Sequence, residues 1–215
     1  MHTKPVVIGI TGGVGAGKSS VLSLLEKKCS CRIIIADEAA KKMQEPGQTC
    51  YNELVSLLGK DLVLKDGTID RGRMAALIYN DDGLRKRVND IIHPAIRSYI
   101  EGIIKEEKKA GIREFLFLEA ALLIECGYKE VCDELWYVYA PEEERKRRLL
   151  ESRGYSEEKS LSIMKSQLSQ ELFIKNCREI IDNSRGPEEL EAEIDRLLDR
   201  KRSLPVAEDG EDQTT

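Results

Sequence analysis

Val6-Val7-Ile8-Gly9-Ile10-Thr11-Gly12-Gly13-Val14-Gly15-Ala16-Gly17-Lys18-Ser19-Ser20-Val21-Leu22 is the stretch that decides the fold. An apolar run, a glycine-rich turn and a helical pattern follow one another without a gap. Val6, Val7, Ile8 and Ile10 predict a buried strand, and Val21, Leu22, Leu24 and Leu25 repeat at helical spacing. Between them, Gly12 to Ser19 fits G-x-x-x-x-G-K-[ST], the P-loop pattern, at every fixed position. Glycines let backbone N–H groups turn toward a phosphate without interference from a Cβ. The start of the following helix adds partial positive charge. In such a setting Lys18 reaches the β- and γ-phosphates and the Ser19 hydroxyl ligates Mg²⁺. The alternative is a strand–helix turn that binds nothing, and the agreement of motif and context argues against it. Gly13, Val14, Gly15, Ala16, Gly17, Lys18, Ser19 and Ser20 are the candidate nucleotide-binding residues.

The rest of the composition suits such a site. The 215 residues are enough for one α/β domain with insertions. No apolar stretch approaches the ~20 residues that a membrane span needs, and no signal-peptide pattern precedes the first strand. A cytoplasmic location without membrane contact is expected. Six cysteines and two histidines show no zinc-site spacing, so the cysteines read as reduced packing residues. A net charge of −5 argues against a nucleic-acid partner. An acidic protein that binds a nucleotide must concentrate its positive charge locally. The strongest cluster is Arg145-Lys146-Arg147-Arg148, followed by Arg153.

Five apolar runs predict a parallel sheet: Val6–Thr11, Arg32–Ala36, Glu114–Leu118, Glu134–Tyr139 and Glu179–Ile181. Helical patterns separate them, which is the α/β signature of a P-loop NTPase-like fold with the phosphate site at the sheet's C-terminal edge. We expect a single P-loop domain over 1–202, with its core at about 5–37, 113–141 and 178–200. Residues 38–112 read as an inserted helical substrate subdomain, with a turn at Asp66-Gly67 and a helix break at Pro94. Residues 142–177 read as a charged helical lid, or as a solvated helix pair. Residues 203–215 read as a disordered acidic tail.

Several side chains then become candidates for chemistry. Asp37 follows the second run, where it could take a proton from an attacking hydroxyl, hold a Mg²⁺-bound water, or simply N-cap the next helix. Glu119 ends the third run as the acid of a Walker B arrangement, which serves the Mg²⁺ shell. Arginines of the basic run, Arg147 and Arg148 foremost, can neutralise the transferring phosphoryl group if a lid closes. Four consecutive basic residues cannot all face one way on a helix. His93 before Pro94 is a lone histidine, structural or functional.

Taken in order, these motifs resemble the dephospho-coenzyme A kinase family from about Val7 to Leu190. Thr11 to Ser19 looks like T-G-G-x-x-x-G-K-[ST]. Ala36-Asp37 is similar to the second half of D-A-D, and Asp66-Gly67-Thr68-Ile69-Asp70-Arg71 to D-G-x-[LI]-D-R. Asn89 to Ile96 resembles N-x-x-x-H-P-x-I, Glu119 to Glu125 resembles [DE]-x-P-L-L-x-E, and Gln167 and Asp182-Asn183 resemble late positions. The resemblance implies transfer of the γ-phosphoryl of ATP, with Mg²⁺, to the ribose 3′-hydroxyl of dephospho-coenzyme A by a monomer or small homo-oligomer. It implies Asp37 as base, Asn183 near adenine, and Arg71 and His93 on the substrate side. Three positions depart from the pattern: Ile35 replaces the first Asp of D-A-D, Ala121 replaces a proline, and Glu144 stands for a lid glutamine. Alternatives are another P-loop kinase of a nucleoside or nucleotide, and an ATP-binding regulator without turnover.

Overall fold

A computed structural model describes residues 4–79 and 81–203. In chain order it contains β1 (Val6–Thr11), α1 (Lys18–Lys28), β2 (Cys31–Ile35), α2 (Ala36–Met43), α3 (Tyr51–Leu58), α4 (Arg71–Tyr79) and α5 (Asp82–Ala110). There follow β3 (Phe115–Glu119), β4 (Glu134–Tyr139), α6 (Glu142–Arg153), α7 (Glu157–Lys165), α8 (Gln170–Asn176), β5 (Glu179–Asp182) and α9 (Pro187–Ser203). The strands pair in parallel in the order β2-β3-β1-β4-β5. The loop after β1 therefore leaves the middle of the sheet, with β3 on one side and β4 on the other.

Successive side chains of each strand enter opposite faces. Val7, Leu116, Leu118 and Leu135 join a core with Leu54, Ile92, Ile96 and Ile100 from the inserted helices. Ile8, Ile10, Phe117, Trp136 and Val138 join a second core with Val21 and Leu25 of α1 and Ile194 and Leu198 of α9. Both faces are buried, so the strands read as continuous apolar runs rather than alternating ones. Cys50 is buried in the first core, and Cys126, Cys132 and Cys177 pack against it, as the packing reading of the cysteines requires.

The strand boundaries shift by about one residue from those expected. Ala36 opens α2 rather than closing β2, and Glu119 is the last residue of β3. The predicted break at Pro94 does not occur: α5 runs unbroken through it for 29 residues. Proline removes one hydrogen bond and strains the preceding turn, at a cost of roughly 3 kcal/mol. Val88, Ile92, Ile96, Ile100, Ile103 and Ile104 continue one buried stripe across it, while Pro94 lies on the exposed side. Burial of that stripe outweighs the local penalty. The turn at Asp66-Gly67 does form. The Thr68 N–H and hydroxyl both donate to Asp66, at 3.0 and 2.7 Å, and Val63 bridges Ile69 across the turn. Ser203 ends α9, and the rest of the expected tail lies outside the described residues. Among the described residues, no helix is long and apolar enough to cross a membrane.

One buried ion cluster ties the end of α5 to the sheet. Glu107, 5% exposed, accepts from Arg32 and Arg113, each at 2.7 Å. Burial pushes its carboxyl up, but the two guanidinium groups outweigh burial and hold it below its ordinary value of 4.5. A folded-state value below the unfolded one stabilises the fold above the unfolded value, and that stability is lost as pH falls through the folded value. Glu107→Gln is expected to lower the urea midpoint at neutral pH, with a loss of about 1–3 kcal/mol. Its stability profile should also be flatter than the parent's below pH 4.5. Urea titrations of both proteins across the acid range measure the two effects.

Candidate active site

The chain leaves the C-terminal ends of β1, β2, β3 and β4 around one cleft of about 760 Å³. Val14, Gly15, Gly17, Lys18, Ser19 and Ser20 line it, together with Asp37, Glu119, Arg148, Arg153 and Gln167. Most of the residues expected from the sequence are thus brought to one place. Its floor is the start of α1. Gly17 caps that helix in the left-handed region, at φ 91°, without a side-chain hydrogen bond, and the first turn holds no acidic residue. By contrast α2 and α6 carry Asp37–Glu38 and Glu142–Glu144 in their first turns. Alone among these three, α1 leaves its positive end for an outside anion. Gly17 is irreplaceable on two counts: its φ disfavours any side chain, and a Cβ there would collide with the Asn183 amide.

Lys18 lies inside the cleft. Its Nζ donates to the Gly12 carbonyl at 3.0 Å and sits 3.5 Å from Glu119 Oε1. Burial, with a further contribution from the Asp37 charge, pushes the Glu119 carboxyl above its ordinary range, and Lys18 works against both. A second cation in the cleft would relieve the same tension. Asp37 lies in the first turn of α2 with an exposed side chain. The cap position belongs to Ile35, which makes no side-chain cap bond. N-capping, one of the roles open to Asp37 on sequence, is therefore not its arrangement.

For a divalent metal the donors present are hard oxygens: the Ser19 hydroxyl and the Glu119 carboxylate line the same cleft. Among the described residues no cluster of three or more His, Cys, Asp or Glu side chains could hold a metal by itself. That sparse oxygen set suits Mg²⁺, which takes one or two protein ligands and completes its shell with phosphate and water.

Helix α6 divides its basic run by face. Lys146 meets Glu143 and Glu157, at 2.6 and 3.0 Å, and Arg147 meets Glu144 and Glu151, both at 2.7 Å. Arg145 and Arg148, three apart and so on one face, turn to the glycine loop. Arg145 Nε donates to the Val14 carbonyl at 2.8 Å, and Arg148 Nη1 donates to the Ala16 carbonyl at 3.2 Å. Of the expected pair, Arg148 reaches the loop, whereas Arg147, about a quarter turn away on the helix, pairs with Glu144 and Glu151. The i, i+3 spacing was the sequence feature that could have found Arg145. Asn183, 6% exposed, donates its amide to Ala16 O at 2.8 Å. With Gly17, Ser20, Arg147, Arg148 and Gly186 it lines an adjoining hollow of about 430 Å³. Two predicted residues stand apart from the cleft. Arg71 donates to the Lys41 carbonyl at 2.9 Å on α4, and His93 is exposed on α5; neither lines the cleft.

The dephospho-CoA kinase family model matches residues 6–189. The dephospho-CoA kinase of Geobacter sulfurreducens is 35% identical over 191 residues, spanning 89% of this chain and 96% of its own. A Thermus thermophilus protein of known crystal structure superposes with a TM-score of 0.76 at 30% identity, covering 92% of this chain and 98% of its own. The dephospho-CoA kinase structure from Campylobacter jejuni shares the fold, with a TM-score of 0.70 at 23% identity over 90% of this chain and 96% of its own. An uncapped helix start, two carboxylates and a lysine at one sheet edge are thus framed by a match that spans nearly the whole sequence, and the chain belongs to the dephospho-CoA kinase family.

Proposed function

We propose that this chain transfers the γ-phosphoryl group of ATP to the ribose 3′-hydroxyl of dephospho-coenzyme A, giving coenzyme A and ADP. The observation that carries this reading is one cleft in which the uncapped start of α1, Lys18, Asp37 and Glu119 meet, in a chain of this family. The loop and Lys18 hold the β- and γ-phosphates, and Arg148 stabilises charge on the group in transfer. Ser19 and Glu119 would hold Mg²⁺, which supplies charge neutralisation across the phosphates when bound. The hollow beside Asn183 takes the adenine of ATP. The ribose hydroxyl oxygen attacks the γ-phosphorus, and the bond to the β–γ bridging oxygen breaks. Asp37 orients the hydroxyl and accepts its proton late, because phosphoryl transfer is loose and needs little prior deprotonation. Helices α2–α5 form the substrate subdomain, with Arg71 and His93 on its side of the molecule. Helices α6–α8 form a lid that closes over the nucleotide. A cytoplasmic setting keeps the cysteines reduced.

The direct test is to incubate the protein with Mg²⁺, ATP and dephospho-coenzyme A and to weigh the product. Coenzyme A is expected; a product formed equally well from a nucleoside lacking the pantetheine arm would redirect the assignment. Lys18→Ala is expected to lower kcat by roughly 10²–10³-fold, the effect of removing one preorganised donor. Asp37→Asn should lower kcat by about 10²–10⁴-fold with ATP affinity unchanged. Because Asp37 caps no helix, its thermal unfolding should match the parent's; a variant that unfolds while keeping its activity per folded molecule would remove the base role. Arg148→Ala should cost kcat more than Arg147→Ala does, by about tenfold or more, since only the former guanidinium reaches the loop. Equal losses in a steady-state assay would return both to the same rank.

A further inference from the structure

The lid's first helix touches the phosphate loop through a group that the chemistry above leaves idle. Arg145 Nε donates to the Val14 carbonyl at 2.8 Å, and Arg145 Nη2 donates to Gln167 Oε1 at 3.2 Å. That same Gln167 oxygen accepts from the Val14 N–H at 2.9 Å. The peptide groups on both sides of Val14 are thus gripped in one ring, with α6 supplying one side and the segment after α7 the other. The guanidinium also fills the space that a Cβ on Gly13 would need: such a carbon would lie 2.5 Å from Cζ and 2.9 Å from Nη1. Gly13 does not have the positive φ of Gly12, Gly15 and Gly17. Its backbone does not itself call for glycine, and what a side chain there would displace is the Arg145 guanidinium.

We propose that Arg145 is a positioning residue for phosphate binding: its guanidinium, seated on Gly13 and bridging Val14 to Gln167, sets the shape of the loop and ties it to the lid. This rests on the reading of the cleft as the ATP site. The charge pattern supports it. Lys146 and Arg147 pair with carboxylates, whereas both hydrogen-bond partners of Arg145 are neutral oxygens. Its charge thus meets no carboxylate at hydrogen-bond distance and adds to the field at the loop; burial works against that charge, and the more distant Glu142 offsets burial only in part. Gln167 is equally specific, because a carboxylate in its place would repel the phosphates that share the cleft with it.

The test is a double-mutant cycle between Gly13→Ala and Arg145→Ala, read as KM for ATP and kcat for coenzyme A formation, with thermal unfolding recorded alongside. Arg145→Ala is expected to raise KM for ATP about 10–100-fold, as loss of charge-assisted hydrogen bonds does, while KM for dephospho-coenzyme A stays constant. Gly13→Ala is expected to raise it too, by displacing the guanidinium. Combined, the two losses should fall short of their product by more than about threefold, because the second change removes what the first has already lost. Gln167→Ala, a half-buried lid residue, keeps the proposal testable should the loop variants fold poorly: hydrogen exchange at the Val14 amide should accelerate, and KM for ATP should rise. Losses that multiply within about threefold would overturn the proposal. So would an Arg145→Ala protein whose only change is a lower unfolding temperature. Should the parent form no coenzyme A, the assigned reaction fails instead, and the same cycle read by direct ATP binding still decides the role of Arg145.

Discussion

The carbonyls of Gly12, Gly13, Val14, Ala16 and Gly17 each accept a hydrogen bond from the protein. Their donors are Lys18 Nζ, the Ala16 N–H, Arg145 Nε, the Asn183 amide with Arg148, and the Ser20 and Val21 N–H groups. The N–H groups of Gly15, Gly17, Lys18 and Ser19 have no protein acceptor among the described residues. This asymmetry leaves the donor side of the loop facing the cleft side of the sheet, as the proposed function requires. A free glycine-rich turn would sample many shapes, at an entropic cost of about 1–2 kcal/mol for each residue fixed. Here the carbonyl side is fixed from outside, by β5's successor Asn183 and by α6, so the N–H side is ready before a phosphate enters. The parallel sheet matters chiefly because it delivers these distant supports to one edge.

The same arrangement explains how an acidic protein receives a polyanion. The net charge is −5, yet the charge that counts is local. Acids of α6 and α7 hold Lys146 and Arg147 on the outer side, where such surface pairs contribute little to stability. Arg145 and Arg148 instead reach carbonyl oxygens of the loop, which accept a hydrogen bond without neutralising the cation. Glu144 is the exception, since it accepts from Arg148 as well as Arg147, at 2.8 and 2.7 Å. It orients Arg148 while tempering its charge.

Where periodicity and local chemistry act alone, the sequence was readable. All five strands, the glycine loop and the acid that ends β3 follow from runs and motifs whose cause lies within a few residues. The exceptions have distant causes. Pro94 should break a helix on local grounds, but the stripe from Val88 to Ile104 is held by packing against α2, α3 and α4, which no window around Pro94 contains. Arg145 was visible only as one of four basic residues. Its selection depends on which face of α6 meets Gly13, some 130 residues away in sequence. Gln167 matched a pattern, but its partner Val14 could not be inferred from either residue alone. The turn after Glu119 carries Ala121 where the pattern has proline. Cys126 and Tyr128 donate to Leu122 and Leu123, at 2.9 and 3.0 Å, and supply the constraint by another route.

Ile35 is the position where this chain's own balance is clearest. It pairs in register with Glu119 across β2 and β3, so the two side chains share a face, and both line the cleft beside Asp37. A carboxylate at 35 would place a third acid next to a Glu119 whose carboxyl is already pushed up by burial and by Asp37. Like charges this close raise one another's pKa and favour a shared proton over full ionisation. Isoleucine removes that repulsion and leaves Lys18 as the group that answers Glu119 directly, at 3.5 Å. At the sheet edge this leaves two carboxylates, Glu119 and Asp37, while Glu151 lines the cleft from α6. Glu119 sits on a strand end beside the lysine, and Asp37 is exposed on the first turn of α2. At this position isoleucine leaves Glu119 and Asp37 separated by secondary structure, one on the end of β3 and the other on the first turn of α2.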